Sequence, residues 1–154
     1  MTLPPKYLPF WTAAEQSHGP LDRSRFLEAF AFGDDESISA ELAGLVLKGV
    51  KRASASLAWT YEGGGKAMPK TGDLSIVTTW TQQPLCIIET TDVQVVAFED
   101  VAADFARLEG EGDGTLASWR RDHTAFFARE CSRIGRVPNE RMPVVCEQFR
   151  VVFQ

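Results

Sequence analysis

Lys51-Arg52-Ala53-Ser54-Ala55-Ser56 packs two cations and two hydroxyls into six residues, and chemistry in this chain could start there. A lysine beside a hydroxyl is one way to make a nucleophile: a desolvated amine takes the hydroxyl proton and the oxygen attacks. Burial next to the like charge of Arg52 lowers the Lys51 pKa and favours that role, whereas a tight carboxylate partner raises it and opposes the role. Lys51 and Ser54 lie three apart, so in a straight strand they face opposite sides and converge only if the chain bends. The same residues have a plainer reading, since a lysine near a helix C-terminus suits the helix dipole and serines fill turns. Among the carboxylates, Glu89 stands out because it interrupts the apolar run Leu85-Cys86-Ile87-Ile88. Covered on both faces, it needs a cationic or hydrogen-bonding partner; facing outward on a strand rim, it needs none.

Helical spacing of Ile38, Leu42, Leu45 and Val46, behind possible caps at Ser37 or Ser39, predicts a helix ahead of this stretch, with Gly49 as its left-handed stop. Leu57 to Thr60 then reads as a strand. Upstream, residues 1–10 are proline-rich and read as irregular, Trp11 to Ser17 as a short helix, and Asp22 as the cap of a helix running to Phe32. Downstream, strands are predicted over Leu74 to Trp80 and Leu85 to Phe98, with a short helix over Glu99 to Ala106. The stretch Leu108-Glu109-Gly110-Glu111-Gly112-Asp113-Gly114 reads as a loop of acids and glycines without the ligand spacing of an EF-hand. Asp113 or Thr115 caps a helix from Leu116 to Ile134 that Gly135 ends. Its apolar stripe carries Leu116, Trp119, His123, Phe126 and Phe127, so His123 is a core histidine unless the stripe borders a cleft. Val144 to Phe153 closes the chain as a strand.

The chain has 154 residues, 44% of them apolar, and a net charge of -5. That suits one domain over 1–154, with residues 1–20 as an N-terminal extension. A membrane span is absent from the pattern and the N-terminus does not read as a signal peptide, so a cytoplasmic protein is expected. Three cysteines, Cys86, Cys131 and Cys146, make neither a disulfide framework nor a zinc pattern, and no histidine-carboxylate group has ligand spacing. No metal or cofactor is expected. The acidic balance argues against coating a long duplex, but one nucleotide needs only a local cluster of cations. About five to six mostly antiparallel strands with flanking helices predict an α+β fold built on a small β-barrel.

Gly49-x-Lys51 after a helix, Pro69 with Gly72-Asp73 before a strand, and Cys86-Ile87-Ile88-Glu89-Thr90-Thr91-Asp92-Val93 resemble the ASCH domain, a PUA-like family of small barrels. Glu109 to Asp113, Trp119, His123, Phe126-Phe127 and Pro143 to Glu147 are similar to its YhfF-type branch. The resemblance implies recognition of RNA or a modified nucleoside in a barrel-side cleft. It also implies hydrolysis, as in relatives that deacetylate N4-acetylcytidine or cleave RNA; the alternative is a non-catalytic RNA-binding regulatory module. Carried over, the catalytic residues are Lys51, Ser54 (where that branch has threonine) and Glu89, and the substrate contacts are Arg52, Ser56, Trp59, Tyr61 and His123. Removal of Lys51 is then expected to abolish activity with thermal stability nearly unchanged. Nothing in the sequence sets the oligomeric state.

Overall fold

The computed structural model describes residues 2–154. Helix α4 (Leu116–Ile134) has the predicted limits, because both its ends are written in side chains: the Thr115 hydroxyl accepts from the Ser118 N–H, and Gly135 closes it at φ +74°. Helix α2 (Glu36–Leu47) is capped one step earlier than either serine, by Asp35, whose carboxylate accepts from the Ile38 N–H at 2.8 Å. After it, Gly49 (φ +77°) lets the chain double back, and the amides of Val50 and Lys51 both donate to the Leu45 carbonyl.

The N-terminal residues are more ordered than their prolines suggest. Pro9 sits in the first turn of α1 (Leu8–His18), where it removes no hydrogen bond. Leu3, Tyr7, Trp11 and Ala14 recur about every fourth residue and are buried with Phe26, Leu74, Ile76 and Ile87. The helix predicted from Asp22 to Phe32 is absent. Asp22 caps only a single 3-10 turn, Arg23–Arg25, and strand β1 (Phe26–Phe30) follows. Pairing with β3 (Leu74–Thr78) overrides the local helical pattern.

The sheet order is β1-β3-β4-β5-β2, where β2 is Ala53–Leu57, β4 is Pro84–Ala97 and β5 is Pro143–Phe153. β1 runs parallel to β3 and every other pair is antiparallel, so the sheet is mixed. The closed barrel expected from the sequence is corrected here: among the described residues β1 and β2 stay as unpaired edges, and the sheet is open. β2 also lies earlier than predicted. Leu57 pairs with Val144, the next partner would be Pro143 with no N–H to give, and the chain turns into a 3-10 segment, Ala58–Tyr61. Among the described residues, no helix is long and apolar enough to cross a membrane.

Three apolar clusters hold the layers. α1 covers Leu74, Ile76 and Ile87; α2 packs Ala43 and Val46 on Val77, Cys86, Ile88 and Phe149; α4 packs Trp119, Phe127 and Cys131 on Ala53, Leu57 and Val144. Helix α3 (Ala103–Glu109) begins and ends later than predicted, so Glu109 belongs to its last turn rather than to a loop. Gly110 ends α3 at φ +66°, and a Cβ there would lie 2.5 Å from the Val50 carbonyl oxygen. Two residues beyond Val50, the Arg52 N–H donates to the Leu108 carbonyl at 2.8 Å. These two contacts clamp the end of α3 against the turn that carries Lys51. Gly110→Ala is therefore expected to lower the unfolding free energy by ~1–3 kcal/mol in urea melts. Gly49→Ala meets open space and should cost less; equal losses would show that the clamp is unimportant.

Candidate functional site

Lys51 leaves the α2–β2 turn pointing inward and is 2% exposed. Its ammonium donates to the Ala53 carbonyl, to Glu109 Oε2 and to Glu111 Oε2, each at 2.7 Å. Glu109 is 1% exposed, and its second oxygen is held as firmly as its first. The Trp119 indole N–H donates to Oε1 at 2.9 Å, and His123 Nε2 lies 3.2 Å from the same atom. The imidazole stacks on Trp119 with ring centroids 4.1 Å apart, and its Nδ1 contacts the Trp119 carbonyl at 2.9 Å. A carbonyl only accepts, so Nδ1 carries a proton. The carboxylate at Nε2 then favours a second one.

Electrostatics follow from that geometry. Burial opposes the charge on Lys51, but the two carboxylates outweigh it and raise the lysine above its ordinary value. This is the sign that disfavours a free-amine base. Burial also works against the Glu109 charge, yet Lys51 and His123 hold its carboxyl well below the usual range. His123 is raised, burial being outweighed by Glu109. Glu111 is pushed the other way, up to about 7, by its own burial and by the neighbouring Glu109 carboxyl. Two adjacent carboxyls with values driven apart is the pattern of an acid–base pair.

These groups line a cleft of about 510 Å³ between α2, β2 and α4. Phe32 and Phe126 give it aromatic walls, and Ser54, Arg121 and Arg129 also line it. Of the residues singled out in the sequence, the cleft gathers Lys51, Ser54 and His123. Glu89 is elsewhere: it faces Arg150 across the β4–β5 ladder, and its carboxylate is paired with Arg25 and Arg150. Burial pushes the Glu89 carboxyl up, but those two guanidinium groups hold it below its ordinary value. Arg52 is exposed and tied through its backbone. Ser56 is hydrogen-bonded to the Tyr61 hydroxyl at 2.8 Å, and Trp59 lies under the Arg136 guanidinium at 4.8 Å. None of these four is among the described residues of the cleft wall.

Glu109 and Glu111 are the site residues that sequence reasoning passed over. The available signal was the pair of glutamates two apart, just ahead of a helix bearing Trp119 and His123. Glu109, Glu111 and His123 present donor atoms all within 4.8 Å of one another, a spacing a metal ion could use. Here the Lys51 ammonium already holds the cation position between the two carboxylates.

The ASCH domain family model matches residues 28–153. The chain belongs to the ASCH domain family. An ASCH domain crystal structure from Lactobacillus crispatus JV V101 superposes with a TM-score of 0.87 at 38% identity, covering 99% of this chain and 97% of that one. A crystal structure of an Enterococcus faecalis V583 protein gives a TM-score of 0.83 at 30% identity over 94% of this chain and 86% of that one. No curated protein matches the chain. The likeness to the first ASCH structure includes the first twenty residues, since nearly all of this chain is covered.

Because Lys51 neutralises a buried carboxylate, the expectation that its removal leaves stability untouched does not fit its surroundings. Lys51→Met should lower the unfolding free energy by ~3–5 kcal/mol, the cost of leaving one buried charge unpaired. A change below about 1 kcal/mol in denaturant titration would place the ammonium in water instead. Glu111 makes a further expectation with a definite sign. Its folded pKa lies above the unfolded value of ~4.3, so the folded chain holds more protons between the two values and its contribution to stability falls as pH rises towards 7. In urea midpoints across pH 4.5 to 7, Glu111→Gln should remove that downward slope; an unchanged slope would assign it to another group.

Proposed function

We propose that the cleft is an RNA- or nucleoside-directed site and that the reaction it favours is hydrolysis of an acylated nucleoside or of RNA. One observation carries the reading: a single cleft holds an ammonium, a hydroxyl, an imidazole and a carboxyl near neutrality between two aromatic walls. Aromatic faces stack on bases, which every base permits. Membership of the ASCH family and the resemblance to its hydrolytic branches support the same direction.

In this reading Lys51, raised rather than lowered, is the electrostatic donor and not the base. Glu111 takes the proton from Ser54 or from a water, the freed oxygen attacks the acyl carbon, and the negative charge gathering on the acyl oxygen faces Lys51. The C–N bond breaks as the protonated Glu111 returns its proton to the leaving amine; where Ser54 made the attack, a water deprotonated by Glu111 then cleaves the Ser54 ester, releases the acid and restores the hydroxyl. Glu89 drops out of the chemistry, and Glu111 takes the carboxyl part that the resemblance implied for Glu89. Arg52, Ser56 and Tyr61 become outer contacts for a longer RNA, and the YhfF-type branch rests on the Glu109 to Asp113 pattern with Trp119 and His123. Residues 1–154 act as one ASCH unit whose first twenty residues are an extension packed on the sheet.

A second reading has an observation of its own. All three N–H bonds of Lys51 are already used, which suits a binding module that never exposes the amine. Mass spectrometry of the protein incubated with acylated nucleosides and short RNAs separates the two. Turnover is expected from the parent and from Glu89→Gln, and a loss of about a hundredfold or more from Ser54→Ala and Glu111→Gln. Ligand retention without turnover by any variant would favour the binding module.

A further inference from the structure

The Lys51 ammonium has three protons and three partners, and the partners differ in how they are held. The Ala53 carbonyl is fixed in β2. Glu109 is clasped on its other oxygen by Trp119 and His123. The Glu111 side chain is 25% exposed, lines the cleft, and among the described residues accepts a hydrogen bond only from Lys51. One partner out of three can therefore leave by side-chain rotation alone, and it is the more exposed of the two carboxylates where Lys51 meets the cleft.

We propose that Glu111 is a built-in stand-in for the ligand: its carboxylate fills an oxygen-acceptor subsite on Lys51, and molecules that use the cleft bring a carboxylate or acyl-carbonyl oxygen that takes its place. This deepens the proposed function and rests on the cleft being the ligand site. A buried N–H left without an acceptor is costly, so Glu111 departs only as another oxygen arrives. Ligands with no such oxygen leave the amine covered. The requirement selects for an acyl or carboxyl group at the depth of Lys51, with the aromatic walls left for the planar part. The charged groups around the displaced carboxyl are Lys51 from the α2–β2 turn, Glu109, Arg121, Asp122, His123 and Arg129 on the α3–α4 side, and Asp34 and Glu41 opposite.

The test supplies the missing oxygen from solution. Acetate is titrated into the parent and into Glu111→Ala, with sodium chloride at matched ionic strength as the control, and binding is followed by calorimetry and by the Lys51 Nζ nitrogen signal in NMR. Acetate is expected to bind Glu111→Ala about tenfold tighter than the parent and to shift the Lys51 signal back to its parental position. Equal affinity for both proteins, or an unmoved Lys51 signal, overturns the proposal. If Glu111→Ala does not fold, Glu111→Gln replaces it, and its uncharged, more easily displaced amide should still give tighter acetate binding than the parent; no gain there also overturns it. Acetate rescue in a protein that turns over no acylated nucleoside keeps the subsite and removes the hydrolase. Turnover without any acetate effect does the reverse.

Discussion

An ammonium taken out of water must be given back the acceptors and the countercharge that water supplied, and the interior of this protein is arranged around doing so for Lys51. Three oxygens at 2.7 Å replace its solvation, and two of them bring negative charge. Such a buried pair is weakly stabilising at best when compared with apolar side chains of equal volume, but very costly to break from one side. It therefore constrains everything that carries its members. The turn after α2, the end of α3 and one face of α4 all have to arrive at the same point, and the Gly110–Val50 contact and the Arg52–Leu108 hydrogen bond are how the first two are held together.

The same constraint shapes the chemistry. Lys51 and His123 together draw charge onto Glu109, and Glu109 in turn makes ionisation of Glu111 harder. The buried carboxylate is thereby fixed as an anion with no free oxygen. The outer one keeps a proton that can be exchanged near neutral pH, in contact with a cleft walled by Phe32 and Phe126. A structural ion pair and a carboxyl pushed up to about 7 thus come from one cluster, two residues apart on the chain. The open sheet leaves α2 and α4 on the two sides of that cleft, each packed on strands by its own apolar cluster.

Local signals in the sequence were legible wherever a side chain decides a backbone. Thr115 and Gly135 bound α4 as expected, and Gly49 stops α2 as expected. Errors arose where pairing overrode local preference: Asp22 promised a helix that the parallel partner β3 turned into β1, and Leu57 to Thr60 promised a strand that the missing N–H of Pro143 cut short. The candidate site divides the same way. Lys51, Ser54 and His123 could be picked out by residue type, and the structure brings them to one cleft. Glu89 was chosen for interrupting an apolar run, but Arg25 and Arg150 satisfy it on the sheet. Glu109 was overlooked because an acid flanked by glycines reads as solvated until a helix end is seen to bury it.

From its sequence alone this chain is an ASCH domain of α+β type with a lysine and a hydroxyl at the mouth of a helix-to-strand turn, because caps, periodicity and motif order are local properties. Tertiary structure alone decided which carboxylates meet that lysine and whether the sheet closes. The first depends on contacts between residues some sixty positions apart and the second on which distant strands pair, and no spacing along the chain encodes which of many distant acids will share a buried cation.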